Sequence, residues 1–198
     1  MRVTRLIPIA IALLGLAAAP AASASGGTPV APPSTTGGAG VGAPPVTPST
    51  PAQPTVPGFT AKIVRGVAYA PAYAPLAVQE AIWAGNRIRH KPYVFGGGHA
   101  AFIAAGYDCS GSVSYVLHAG GLLSSPLDSS DFMRWGQKGL GHWITVYTNP
   151  GHAFVEIAGI RLDTSAEGDP HPAKGSGPRW RPTMRSIRGF MERHPVGL

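Results

Sequence analysis

Cys109 is the only cysteine in a chain of 198 residues, and it stands in the run Tyr107-Asp108-Cys109-Ser110-Gly111. A lone thiol cannot pair within its own chain, so it is a packing residue, an intermolecular linker or a reactive group. A cysteine nucleophile needs a base, and the base needs a group that orients it. Of the seven histidines, His152 is the best-placed base, because it opens a predicted strand directly after the turn Asn149-Pro150-Gly151. From there its ring can project from a sheet edge toward a helix start. His118 falls at the far end of the helix that Cys109 begins, His90 at another helix end and His194 in the tail. His99, His142 and His171 fall in loops, where spacing alone leaves them open. Asp163 is the leading orienter, ahead of Ser165 and His171. A carboxylate there would accept the imidazole N–H and favour imidazolium beside thiolate. One cysteine and histidines without paired-ligand spacing argue against zinc, and neither a metal nor an organic cofactor is expected.

The elements that must position these groups follow from local pattern. Asp108 is a natural N-cap for a helix over residues 109–119, with Val113, Val116 and Leu117 as its apolar stripe and Gly120-Gly121 as its stop. Cys109 then lies in the first turn, where the helix dipole and unpaired N–H groups stabilise a thiolate. Residues 152–157 alternate, with His152, Phe154 and Glu156 on one face and Ala153, Val155 and Ile157 on the other. If Ala158-Gly159 is the turn into a strand over 160–164, Glu156 faces Arg161 and Phe154 faces Asp163. The opposite charges of Glu156 and Arg161 support that register. It puts Ser165 opposite His152 and Asp163 diagonal to it on the same face. Residues 143–147 are also β-rich.

Upstream, residues 72–89 read as a helix. Val78, Ala81, Ile82, Gly85 and Ile88 share a face, Pro75 suits the first turn, and Pro92 stops the helix. Gly96-Gly97-Gly98 permits close backbone approach, and the absence of a following Lys-Ser or Lys-Thr argues against a phosphate loop. Residues 61–74 carry no clear period, and residues 124–138 read as loop with a short helix near 131–135. The tail over 166–198, rich in Gly, Pro and Arg, reads as a solvated wrap pinned by Trp180 and Phe190.

Residues 1–24 have the form of a secretory signal peptide: Arg2 and Arg5, an apolar run over 6–19, then Ala22-Ser23-Ala24 as cleavage site. The run is short for a membrane span, and Pro8 interrupts it. Residues 25–60 contain no charged residue and few large apolar ones, the composition of a disordered linker. The folded domain is expected over 61–198. The formal charge of +7 suits anionic partners such as wall polymers, or serves solubility alone. The basic residues form no dense run, which argues against nucleic acid.

Three motifs taken together, Pro92-Tyr93-Val94-Phe95-Gly96-Gly97-Gly98, Tyr107-Asp108-Cys109-Ser110-Gly111 and Gly151-His152-Ala153-Phe154-Val155-Glu156-Ile157, resemble the NlpC-type family of cell-wall cysteine peptidases. The resemblance covers residues from about 76 to 165. It implies a papain-like α+β fold, with the nucleophile helix packed on an antiparallel sheet that carries the histidine. It also implies hydrolysis of peptidoglycan stem peptides, typically between D-glutamate and diaminopimelate, by a secreted, wall-associated enzyme. Carried over by position, Cys109 matches the nucleophile and His152 the base. Asp163 falls where the family usually has His, Asn or Gln. Tyr93 matches the tyrosine near the thiol, and Tyr93 and Ser110 are the expected substrate contacts. Asn149-Pro150-Gly151 replaces the usual Gly-Asp turn. The alternatives are an N-acetylmuramoyl-L-alanine amidase and a non-catalytic wall-binding module.

Overall fold

The computed structural model describes residues 53–170, 177–182 and 185–198. The expected signal peptide, residues 25–52 of the expected linker and His171 lie outside the described residues.

Among the described residues, regular structure is present before residue 61. Strand β1 (Thr55–Val56) falls in the stretch read as linker and pairs in parallel with β3 (Val67–Pro71). The Pro54 carbonyl accepts hydrogen bonds from Ala70 N (3.0 Å) and Trp83 Nε1 (2.9 Å). Residues 53–57 carry no periodic apolar signal of their own. Donors far along the chain make them a strand, and a local pattern cannot announce such donors. Residues 61–74, which carry no clear period, form the hairpin of β2 (Lys62–Val64) and β3.

Helix α1 (Leu76–Ile88) follows Pro75, with Val78, Ala81, Ile82 and Ile88 buried as expected from their spacing. Helix α2 is Cys109–Ala119 with Asp108 as its cap, and α3 (Ser129–Phe132) starts a little before the expected helix because Asp128 caps it. The remaining strands are β4 (Gln137–Lys138), β5 (Ile144–Asn149), β6 (His152–Ile157), β7 (Ile160–Asp163), β8 (Arg179–Arg181) and β9 (Met191–His194). They form a six-stranded antiparallel sheet in the order β4-β9-β5-β6-β7-β8. Val78 and Ile82 of α1 and Val113 and Leu117 of α2 join Val146, Val155 and Leu162 of the sheet in one apolar core. The fold is thus α+β, with the cysteine helix against an antiparallel sheet.

The β6–β7 register is the expected one: Glu156 pairs with Arg161 across a turn whose central residues, Ala158 (φ 49°) and Gly159 (φ 86°), both take the left-handed conformation that a two-residue hairpin requires. The charges do not meet, however. The Arg161 guanidinium turns to Asp169 (3.0 Å), and Glu156 has no ion pair among the described residues.

The tail corrects the expectation of a solvated wrap. It supplies β8 at one edge of the sheet and β9 inside it, and Trp180, Arg181 and Arg193 are buried. Trp180 lies on α1 where Gly85 leaves room: a Cβ built on Gly85 would stand 2.3 Å from Trp180 Cζ2. The ring cannot slide freely, because its Nε1 donates to Asn86 Oδ1 (3.0 Å), which also accepts from Ala68 N (2.8 Å). Gly85→Ala gains up to about 1 kcal/mol of helix propensity. It forces an overpacking cost of about 1–3 kcal/mol, so urea unfolding is expected to show a net loss of stability. A midpoint at or above that of the parent protein would contradict this packing.

Candidate active site

The site is built around the start of α2. The Asp108 carboxylate is buried and receives Gly111 N (2.7 Å) as the helix cap, Gly96 N (3.0 Å) from the glycine-rich loop, and His99 Nε2 (3.0 Å). Ser110 Oγ lies 3.4 Å from the same carboxylate and 3.1 Å from His99 Nε2. One acidic side chain therefore satisfies orphan N–H groups of the helix and ties the loop to it. The loop comes so near that side chains are forbidden at the contact. A Cβ on Gly111 would stand 1.9 Å from the Gly97 carbonyl oxygen, and one on Gly97 would stand 2.4 Å from that of Gly106. This contact is why glycine follows Cys109-Ser110 and stands at position 97, whereas Gly96 is set by its left-handed φ of 74°.

Cys109 is the first residue of α2 and half-buried. His152, at the start of β6, uses Nε2 to donate to Asp163 Oδ1 at 2.9 Å. Nδ1 is thereby the ring nitrogen left for exchange with Cys109. Burial alone would raise the Cys109 thiol. Hydrogen bonds from the His152 ring and the Ala153 backbone, with the charge of His152, outweigh burial and hold the thiol below its ordinary value, against a smaller upward push from Asp108. Burial likewise disfavours the His152 imidazolium, but the hydrogen bonds to Asp163 and Cys109 and their negative charge raise it from 6.5 to about 9. The two shifts have one meaning: proton transfer from thiol to ring is favoured, and the pair titrates as a unit.

Asp163 is fully buried at the end of β7. Its Oδ1 also accepts from Ser165 N (2.8 Å), while Oδ2 faces Arg185 Nη1 (3.4 Å) and Arg161 Nε (3.8 Å). Arg185 packs its guanidinium over the rings of Phe154 (5.5 Å) and Phe190 (5.3 Å) and ion-pairs with Glu167. Arg161 and Arg181 share Asp169. Phe190 meets the His152 ring edge-on at 6.2 Å. The tail thus backs the carboxylate and the imidazole with cationic and aromatic groups.

The structure brings Cys109, His152 and Asp163 together. Tyr93 is near enough to feel them: burial, then charge at Cys109 and Asp108, raises its phenol, and the residue is 40% exposed. Ser110 does not fit the expected role of substrate contact, because it is buried and its hydroxyl is engaged by His99 and Asp108. Ser165 holds Asp163 through its backbone rather than orienting His152. His142 is remote, beside Trp143. Two contributors escaped the sequence reading. Spacing alone leaves His99 open as a loop histidine, and Arg185 is one arginine among several in the tail.

No protein-family model matches the chain, and no curated protein is matched. Solved structures similar to it include NlpC/P60 proteins. The peptidoglycan hydrolase RipB from Mycobacterium tuberculosis is 18% identical over 60% of this chain and 64% of that structure, with a TM-score of 0.44. An NlpC/P60 family protein from Bacillus cereus is 18% identical over 60% of this chain and 40% of that one, with a TM-score of 0.45. RipD from Mycobacterium tuberculosis, a non-catalytic NlpC/p60 domain protein adapted to peptidoglycan binding, is 20% identical over 55% of this chain and 98% of that one, with a TM-score of 0.37. The chain spans less than two thirds of the RipB structure's length.

Proposed function

We propose that the protein is an exported cysteine endopeptidase of the NlpC type that hydrolyses peptidoglycan stem peptides, at the bond between D-glutamate and diaminopimelate. The observation that carries the reading is the buried Asp163 carboxylate on His152 Nε2, which leaves Nδ1 to a thiol at a capped helix start. The three motifs quoted from the sequence supply the substrate class. Residues 1–24 would direct export and residues 25–52 would space the domain from the wall.

In this mechanism the Cys109 thiolate attacks the scissile carbonyl while His152 carries the proton. The Cys109 backbone N–H lies in the helix turn whose N–H groups have no intrahelical partner, and it donates to the developing oxyanion. Collapse of the tetrahedral intermediate breaks the C–N bond. Imidazolium protonates the departing amine, leaving a thioester. Neutral His152 then takes a proton from water, which attacks the thioester and releases the carboxylic acid and the thiol. Asp163 keeps the ring in register and offsets its charge. The basic surface suits carboxylate-bearing peptides.

Incubated with wall fragments, the purified full chain is expected to release new amino termini on diaminopimelate, identified by mass spectrometry, and Cys109→Ala none. Release of free L-alanine amino termini would identify an amidase, and intact fragments retained by the protein would identify a binding module. Iodoacetamide is expected to alkylate Cys109 readily at neutral pH. His152→Ala should move that reactivity up toward the ordinary thiol value of 9.0. An unchanged profile would separate the two groups. For turnover, the acid limb reports deprotonation of Cys109 and the basic limb reports loss of the His152 proton near pH 9. Asp163→Asn removes the group that raises His152. The basic limb should fall toward 6.5, and kcat/KM should drop by roughly 10²–10⁴-fold. A basic limb that stays near 9 would show that Asp163 does not tune the ring.

A further inference from the structure

On the sheet face opposite the helices, a cavity of about 470 Å³ opens beyond the β6–β7 turn, lined by Phe59, His142, Trp143, Tyr147 and Glu156 among others. Glu156 is four residues along β6 from His152, roughly 13 Å at strand rise, so the cavity stands apart from the thiol. Aromatic rings lead into it in a row. Tyr73 and Phe59 have centroids 5.3 Å apart, Phe59 and Trp143 6.2 Å, and Trp143 and His142 5.0 Å. Phe59 and Tyr73 are each 65% exposed and lie against one another, a contiguous aromatic patch rather than scattered single residues. The backbone beneath them is fixed: Ala61 N donates to Ala158 O (2.9 Å), Tyr73 N to Gly58 O (3.3 Å) and Ala158 N to Trp143 O (2.8 Å).

The polar groups are as informative. Neither Glu156 nor Glu192, which flank Tyr147 from β6 and β9, has an ion pair among the described residues. The Tyr147 hydroxyl donates to Glu156 Oε2 (3.4 Å), and burial with the charge of Glu156 and Glu192 pushes this phenol up to about 12, so it stays a donor. The cavity is therefore an anionic, aromatic spot on a chain of net charge +7.

We propose that this row and cavity bind a neutral polysaccharide chain. The C–H face of a pyranose stacks on the electron-rich face of an aromatic ring; the rings are tilted on one another, by 58° between Phe59 and Tyr73 and 32° between Phe59 and Trp143, so each presents its own face to a sugar of the chain. Hydroxyls at the rim of a sugar can donate to the Glu156 carboxylate, which the Tyr147 hydroxyl holds in place through Oε2. A purely apolar ligand would desolvate the Glu156 carboxylate with the Tyr147 hydroxyl as its one donor among the described residues, and a phosphate- or uronate-bearing polymer would be repelled by Glu156 and Glu192. The site deepens the proposed function, since it would hold the glycan to which a stem peptide is attached and raise the effective concentration of that peptide at Cys109. The binding itself does not depend on turnover.

The test is calorimetric titration of the full chain with the hexamer of β-1,4-linked N-acetylglucosamine, which carries no peptide. Saturable binding is expected, retained in Cys109→Ala, so that an inactive thiol and an empty glycan site give separate results. The Phe59→Ala/Tyr73→Ala variant should bind at least tenfold more weakly while cleaving a glycan-free stem peptide as before. If that variant loses its fold by circular dichroism, Glu156→Gln, which keeps the shape of the side chain, serves instead and should bind several-fold more weakly. No saturable binding by the parent chain, unaltered affinity in a folded variant, or tighter binding of an oligolysine or a polyphosphate than of the hexamer would each overturn the proposal.

Discussion

The Asp108 carboxylate is the constraint on which the site rests. It caps α2, fixes the glycine-rich loop through Gly96 and engages His99, all from a buried position. A charged cap of this kind contributes about 0.5–2 kcal/mol to the helix, but its geometric effect is larger. It sets the first turn of α2 against the Gly97 carbonyl so closely that only glycine fits at position 111. Thiol position, loop path, the aspartate at 108 and the glycines at 97 and 111 are one solution to one packing problem.

Charge alternates outward from the thiol. Cys109 and His152 form one coupled pair, and Asp163 answers the ring. Arg185 and Arg161 answer Asp163, while Glu167 and Asp169 answer the arginines. Each charge buried in this row would be costly alone and is tolerable because its neighbours are of opposite sign. The row leads into the Arg-rich tail, so residues far from Cys109 in sequence bear on how its base is held.

The difference between what the sequence told and what it withheld follows the range of the forces involved. Helix α2, its cap, the Ala158-Gly159 turn and the diagonal placing of Asp163 were legible, because caps, turns and strand alternation act over a few residues. β8 and β9 were not. Arg179-Trp180-Arg181 and Met191-Glu192-Arg193-His194 lack apolar alternation, and their arginines look solvated until Asp169 and the Met133 carbonyl are seen to receive them. β1 was hidden for the same reason, since Pro54 gains its donors from β3 and α1. Ser110 misled in the other direction: its place beside the thiol suggested contact with substrate, whereas helix geometry turned its hydroxyl toward the cap.

The strand order β4-β9-β5 carries a consequence for how the molecule comes into being. The strand latest in the chain is an interior member of the sheet, paired with both β4 and β5. Until residues 191–194 are synthesised, β5 is an edge with unpaired backbone groups, the kind of surface that recruits other strands. A nascent chain can present Cys109 and His152 on finished local elements and still have an unfinished sheet. Loss of residues 191–194 after cleavage between β7 and β9 would recreate that open edge, so retention of β9 governs whether β5 is sealed or adhesive.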